Sequence, residues 1–278
     1  MRIVSLLPST TEILFAIGAG DDVVGVTFEC DHPVEARSRT IVSTSALPPG
    51  LSSAEIDAFV VAALHRGEDL YHLDEGALSG LDADLVVTQD LCAVCAVDVS
   101  VVDDALAHLG CTAEVLTIDP HDLAEVLESI LVLGRATGHE PAAAALVADQ
   151  RTRLDAVTRR VAGRPLPRVM LLEWTDPPFA PGHWIPEMVT LAGGDPVLGR
   201  AGAKSRRVTW DEVHAADPEV VVVAPCGYDL AGAEALAVDV RNRFPGLPVH
   251  AVDANASWAR PGTRLVDGLE HLATLLHG

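Results

Sequence analysis

Residues 1–18 read MRIVSLLPSTTEILFAIG, and this stretch predicts a buried strand followed at once by a helix. The apolar run at 2–7 lacks the alternation of a half-buried strand, which is typical of parallel sheets covered by helices on both faces. Ser9 and Glu12 have the spacing of a capping box at a helix start. Ile13, Leu14 and Ile17 then share one helix face. The opening therefore predicts a strand–helix unit of an α/β fold.

The same alternation recurs along the whole chain. Six further apolar runs predict strands at 23–27, 84–88, 113–118, 168–173, 219–224 and 249–253. The stretch 120–163, between the predicted strands at 113–118 and 168–173, carries only helical patterns. These lie at 121–137 and 142–162, and the second would make about 31 Å of helix.

We therefore expect two Rossmann-like α/β lobes bridged by one long α-helix. The N-terminal lobe is predicted at 1–119, the helical linker with the backbone helix at 120–163, and the C-terminal lobe at 164–278. Ligands of open α/β sheets bind beyond the carboxyl ends of the strands, so a ligand cleft is expected between the lobes.

Composition and charge exclude some classes of partner. The 278 residues are 49% hydrophobic and 21% charged, as in ordinary globular proteins, and they carry a net charge of −21 with Lys204 as the single lysine. Nucleic acid and anionic membranes need clustered basic residues, so neither is an expected partner. A run of about 18 apolar residues, which a membrane span requires, does not occur. The opening apolar run is too short for a signal peptide, which predicts a cytoplasmic protein, or a periplasmic or cell-surface one if a leader has been removed.

Polar and aromatic side chains collect where the predicted strands end. Most loops are polar, so aromatic groups gathered there suggest a cleft that holds something large and flat. The alternative for each aromatic ring is ordinary packing in the core. The candidate ligand-binding residues are Pro8, Ser9, Thr10, Asp31, His32, Asp90, Leu91, Glu173, Trp174, Phe179, His183, Trp184, Tyr228, Trp258 and Arg260.

Four of the five cysteines, Cys30, Cys92, Cys95 and Cys226, follow predicted strands too. Thiolates at a C-x-x-C spacing can share one metal, although structural zinc normally takes four ligands. Soft thiolates select zinc, copper(I) or an iron–sulfur cluster, so a cytosolic metal or iron–sulfur protein is one hypothesis. Two alternatives are buried structural thiols and soft contacts that line a pocket for a larger ligand.

Catalysis is not expected. Glu173 and Asp176 could form a carboxylate pair, but no nucleophile elbow, zinc-protease helix, Walker loop or dinucleotide fingerprint accompanies them. An enzyme that uses Glu173 and the cysteines on a bound cofactor remains an alternative without a motif.

Four segments resemble the cobalamin-binding receptors of bacterial ABC importers, within the helical-backbone metal-receptor superfamily of class III periplasmic-binding-protein-like folds. They are residues 1–33, LDADLVVTQDLCAVCAV at 81–97, EWTDPPFAPGHWIPEMVTLAGG at 173–194 and SWARPGTRLVDGLE at 257–270. The resemblance implies two α/β lobes joined by a long helix. It also implies a non-enzymatic substrate-binding protein for a cobalamin-type corrinoid or a related metal chelate.

The resemblance also implies roles for particular residues. Trp174, Trp184 and Trp258 would cover the apolar rim of the corrin, while Asp31, Asp90 and Arg260 would bond its amides. His32 or His183 would approach the cobalt. Receptors of this family dock on permease arginines through one acidic side chain per lobe, which implies Asp211 or Glu212 in the second lobe. In the first lobe the matching position is Gly76, with Glu75 beside it.

Overall fold

The structure is a computed structural model that describes residues 1–89, 102, 106 and 112–278. The chain divides into two compact units, each of them assembled from two segments. The first unit comprises Met1–Asp119 and Leu127–Val147, and the second comprises Pro120–Val126 and Ala148–Gly278. Candidate ligand residues Asp90 and Leu91 and the pair Cys92 and Cys95 lie outside the described residues.

The first unit is built on a parallel sheet with strand order β3-β2-β1-β6-β7. A separate antiparallel pair, β4 and β5, lies within the same unit. The strands are β1 Ile3–Ser5, β2 Val23–Val26, β3 Thr40–Ile41, β4 Ser43–Ser45, β5 Tyr71–Leu73, β6 Leu85–Thr88 and β7 Glu114–Thr117. Over residues 1–89 its helices are α1 Pro8–Ala16, α2 Ser53–Arg66 and α3 Glu75–Ser79.

Two helices, α4 Leu123–Thr137 and α5 Glu140–Val161, follow β7 where the sequence predicts two helical stretches. The break between them falls at Gly138, whose φ of +73° is the left-handed conformation that commonly ends a helix. Within the second unit, Arg153 of α5 holds the carboxylates of Asp267 and Glu270 at 2.5 and 2.7 Å. The predicted lobe boundaries at 119/120 and 163/164 stay a prediction.

The second unit contains a parallel sheet of order β11-β8-β13-β14 and an antiparallel sheet of order β12-β10-β9. The strands are β8 Arg168–Leu172, β9 Trp174–Thr175, β10 Pro178–Ala180, β11 Asp195–Pro196, β12 Arg206–Arg207, β13 Val220–Val223 and β14 Val249–Ala251. Its remaining helices are α6 Ile185–Leu191, α7 Trp210–Ala215, α8 Leu230–Arg243, α9 Ala254–Ser257 and α10 Leu265–His277.

Strand β8 shows why the predicted strands are apolar throughout. Val169 and Leu171 belong to one buried cluster, whereas Met170 and Leu172 belong to another. Since successive side chains of a strand point to opposite faces, the sheet buries both of its faces. The α/β class is confirmed, and all seven predicted strands are present in shortened form. None of the helices in the described part of the chain is long and apolar enough to cross a bilayer.

The predicted capping box at the first helix is wrong. Helix α1 begins at Pro8, one residue before the predicted cap, and Leu7 takes the cap position without a side-chain hydrogen bond. Proline is favoured in the first helical turn because its φ is already helical and its missing N–H has no partner to lose there. The hydroxyls of Thr10 and Thr11 donate instead to the carbonyl oxygen of Leu7, at 3.1 and 3.0 Å.

Candidate functional site

An aromatic surface lies directly after β8 in the second unit. Strand register places Phe179 opposite Trp174 on one side and opposite Arg207 on the other. Side chains of directly paired residues project to the same face of a sheet, so these three share one face. The ring of Tyr228 meets the Trp174 ring edge-on at 5.6 Å between centroids. We call Trp174, Phe179 and Tyr228 the aromatic face; all three are partly exposed.

The orientation of this face is set by its own contacts. The Trp174 indole N–H donates to the carbonyl oxygen of Asp176 at 3.1 Å, which fixes the ring plane. The guanidinium carbon of Arg207 lies 5.8 Å from the centre of the Phe179 ring, within range of a cation–π contact. A flat apolar ligand can therefore be covered by rings whose positions are fixed before it binds.

Glu173 connects this face to two neighbouring loops. Its Oε1 accepts a hydrogen bond from the Gly182 amide at 3.1 Å, and its Oε2 accepts one from the Ser205 hydroxyl. Gly182 has no room for a side chain, because an added Cβ would overlap the carbonyl oxygen of Ala203 and the amide nitrogen of Ser205. The carboxylate predicted to contact ligand is thus occupied by protein donors. We infer that Glu173 positions the loops that precede His183 and Arg206.

Trp184 and Trp258 do not join the aromatic face. Trp258 is fully buried and Trp184 is 5% exposed, and both belong to the hydrophobic core of the second unit. The Trp184 indole N–H donates to the backbone oxygen of Trp258 at 2.8 Å. The prediction that these two rings cover a ligand is contradicted by this placement, because core packing leaves them almost no surface to offer. Arg260 follows α9 and is partly exposed.

His183 occupies a constrained position between α6 and the Ala203 turn. Its φ of +50° is left-handed, and its amide donates to the Ala203 carbonyl oxygen at 2.7 Å. The ring lies 6.5 Å from that of His121 and 5.6 Å from that of Trp184. Its Nε2 is buried and has no hydrogen-bond partner within the described part of the chain.

Burial lowers the pKa of His183 below its usual range, and the nearby charges of His121 and Lys204 lower it further. The imidazole is therefore neutral at neutral pH, and one of its two ring nitrogens has a lone pair that is not protonated. This is the protonation state in which histidine binds a transition metal. His183 therefore has the protonation state that the predicted axial role requires, but its Nε2 is buried, so that role stays a prediction; the other candidate, His32, is exposed in the first unit.

Acid should destabilise the second unit through His183. Because its pKa is lower in the folded than in the unfolded chain, the unfolded chain takes up the proton first. The free energy of unfolding should therefore fall as the pH drops below the ordinary histidine value of about 6.5, and stop falling once the folded form also titrates. The substitution His183→Asn should reduce this loss, because it removes the titrating imidazole. Asparagine is the replacement because it tolerates a left-handed φ.

The measurement is urea unfolding at several pH values, followed by tryptophan fluorescence. All four tryptophans lie in the second unit, so the signal reports that unit alone. The matched control is His271→Asn, which removes an exposed imidazole from α10 of the same unit. An equal reduction in both variants would contradict the assignment to His183.

In the first unit, the candidates at the start of α1 are buried. Pro8, Ser9 and Thr10 have little or no exposed surface, and the Thr10 hydroxyl lies 2.7 Å from that of Ser5. The Thr10 hydroxyl serves the junction between β1 and α1, since it also donates to the carbonyl oxygen of Leu7. Asp31 is partly exposed and His32 is exposed, so these two remain accessible candidates in that unit.

The cysteines of the predicted metal set have different surroundings. Cys30 is 2% exposed, and its sulfur lies 3.1 Å from the Thr11 hydroxyl and 3.2 Å from the Thr27 hydroxyl. Cys226 is exposed and lies three residues after the end of β13. Over residues 1–89 and 112–278, no three His, Cys, Asp or Glu side chains form a group that could hold a metal. The four-cysteine site stays a prediction, and Cys30 matches the buried-thiol alternative.

The three acidic docking candidates are all exposed but are not equally available. Glu75 lies in the first turn of α3 and Asp211 in the first turn of α7. Glu212 closes a capping box with Thr209 and pairs with Arg206 at 3.3 Å. Hydrogen bonding from the Thr209 backbone lowers the pKa of Glu212. Asp211 is therefore the better docking candidate in the second unit.

Two α/β units with parallel sheets, and an aromatic surface where a central strand ends, are features of a receptor-type binding protein. Comparison with known proteins gives the family. Residues 3–239 match the family model described as periplasmic binding protein, and the chain belongs to this family. The predicted resemblance to two-lobed receptors of ABC importers is thereby confirmed.

Individual relatives are distant but match over nearly the whole chain. An uncharacterized ABC transporter substrate-binding lipoprotein of Bacillus subtilis, YvrC, is 26% identical over 99% of this chain and 80% of its own length. A vitamin B12-binding protein of Yersinia pestis is 23% identical over 92% of this chain and 79% of its own length. The crystal structure of a periplasmic heme-binding protein from Pseudomonas aeruginosa superimposes with a TM-score of 0.74 at 19% identity, over 99% of this chain and 91% of that one.

Proposed function

We propose that this chain is the ligand-binding component of an ABC importer and that its ligand is a cobalamin-type corrinoid. Heme is the related chelate that the named relatives also suggest. The observation that supports the proposal best is the aromatic face. Three partly exposed rings with fixed orientations suit a broad apolar macrocycle, and they suit a small polar solute poorly.

His183 adds a second argument for a metal chelate. Its imidazole is neutral and its Nε2 makes no hydrogen bond within the described residues, so this nitrogen has the chemistry of an axial ligand once it is uncovered from its buried position. It follows Gly182, whose amide is bound by Glu173 next to Trp174. The Glu173 network therefore links the backbone that carries the imidazole to the strand that carries the indole.

The proposal includes no catalysis, in line with a family of substrate-binding proteins. We propose that Glu75 and Asp211 dock on permease arginines, since both carboxylates are exposed in first turns of helices. This role requires a location at the outer face of the membrane.

Titration calorimetry and visible spectroscopy with hydroxocobalamin and with hemin test the ligand. We expect one of them to bind with a Kd of about 1 µM or tighter, which corresponds to about −8 kcal/mol. The proposal fails if neither produces heat or a spectral change at tens of micromolar ligand. Native mass spectrometry and metal analysis of anaerobically purified protein test the alternative of a thiolate-bound metal or iron–sulfur cluster in the same sample.

A further inference from the structure

A cationic segment borders the aromatic face. Between Asp195 and Asp211 the chain has no acidic residue, yet it carries four of the 19 basic side chains, at Arg200, Lys204, Arg206 and Arg207. The whole chain has a net charge of −21. Such a charge repels anions at long range. A local group of cations beside a binding surface would offset this repulsion for an anionic ligand.

Arg207 is the cation of this segment that shares the aromatic face. It pairs with Phe179 across β12 and β10, and its guanidinium carbon lies 5.8 Å from the Phe179 ring centre. Arg206 is its neighbour on the strand, so it projects to the opposite face, where it pairs with Glu212 at 3.3 Å. Two adjacent arginines therefore serve different surfaces.

We propose that Arg207 binds an anionic oxygen group carried at the edge of the flat ligand. This inference rests on the proposed function and narrows its ligand to macrocycles with a carboxylate or phosphodiester on the rim. The planar guanidinium donates two parallel hydrogen bonds to such groups. Contact with the Phe179 ring holds it in place before the ligand arrives, which reduces the entropy lost on binding.

The anionic group has two possible sources. Heme carries carboxylates on its edge, and cobalamin carries a phosphodiester in its nucleotide loop. Each has a counterpart without the anion: hemin dimethyl ester has esterified carboxylates, and dicyanocobinamide lacks the nucleotide loop. The two pairs of ligands therefore separate the two sources.

The test measures affinities of the wild type, Arg207→Gln and Arg206→Gln for all four compounds. Arg207→Gln should weaken binding of hemin or cyanocobalamin by about tenfold or more, because hydrogen bonds to charged groups are the stronger class. It should change binding of the counterpart that lacks the anionic group less than threefold, which corresponds to less than about 0.6 kcal/mol. Arg206→Gln, which removes the same charge one residue away, should change each affinity less than twofold.

The outcomes separate this inference from the proposed function. If Arg207→Gln weakens binding of the two members of a pair equally, Arg207 acts only through Phe179 and the inference is overturned. Equal losses in Arg207→Gln and Arg206→Gln would overturn it too, because net charge alone would then explain the effect. If the wild type binds none of the four compounds, the proposed function fails and this inference fails with it.

Discussion

The substitution Trp174→Ala is expected to weaken binding of the macrocycle by about 30-fold, or about 2 kcal/mol, the size typical of a central aromatic contact. The indole is partly exposed, meets Tyr228 edge-on and lies beside Phe179 in the strand register. Its removal takes away the largest ring of the aromatic face. Because the ring is not buried in the core, the free energy of unfolding should fall by much less than for a buried tryptophan.

The second unit offers a matched control for this experiment. Trp210 on α7 is also partly exposed, and its ring lies 4.5 Å from the guanidinium carbon of Arg243. Trp210→Ala removes the same side chain from the same unit but leaves the aromatic face intact. Calorimetric titration with hydroxocobalamin and hemin should show the loss of affinity in Trp174→Ala alone. Comparable losses in both variants would mean that the effect comes from stability and that the aromatic face does not bind the ligand.

The architecture follows from the sequence because the central strands are short and apolar on both faces. In β13, Val220 and Val222 enter one core cluster while Val221 and Val223 enter the other. A run without alternation is therefore what a doubly covered parallel sheet requires, and it can be recognised without any tertiary information. Strands of only two residues, such as β9 and β12, cannot be recognised in this way because they are too short to show a period.

The candidate site was predicted less completely, and the tryptophans show why. Trp174 and Trp258 both follow apolar strands with similar polar neighbours, yet one is partly exposed and the other is fully buried. That difference depends on which helices cover each loop, and α9 and α10 are brought there by tertiary packing. Arg207 was missed for the same reason, since only the register of β12 against β10 places it on the aromatic face. The acid-free segment around it was visible in the sequence and would have been the signal.

The substitution Gly182→Ala is expected to have the largest effect on stability, lowering the free energy of unfolding of the second unit by about 3 kcal/mol, the upper end for overpacking. The added methyl group would overlap the Ala203 carbonyl oxygen and the Ser205 amide nitrogen. These are backbone atoms, so they cannot rotate away as a flexible side chain could. Separating the two loops would also stretch the hydrogen bond from the Gly182 amide to Glu173.

Gly202→Ala is the matched control, because Gly202 lies in the neighbouring turn with a φ of +70° and nothing within 4 Å of an added Cβ. It should cost only about 1 kcal/mol, from its left-handed backbone. Denaturant unfolding, monitored by tryptophan fluorescence, measures the free energy of unfolding of each variant, since all four tryptophans belong to the second unit. Equal losses in the two variants would show that backbone conformation, and not the close approach of the loops, sets the cost. A larger loss in Gly182→Ala, with weaker macrocycle binding at temperatures where the unit stays folded, would mean that the close approach of these two loops supports the binding surface as well as the fold.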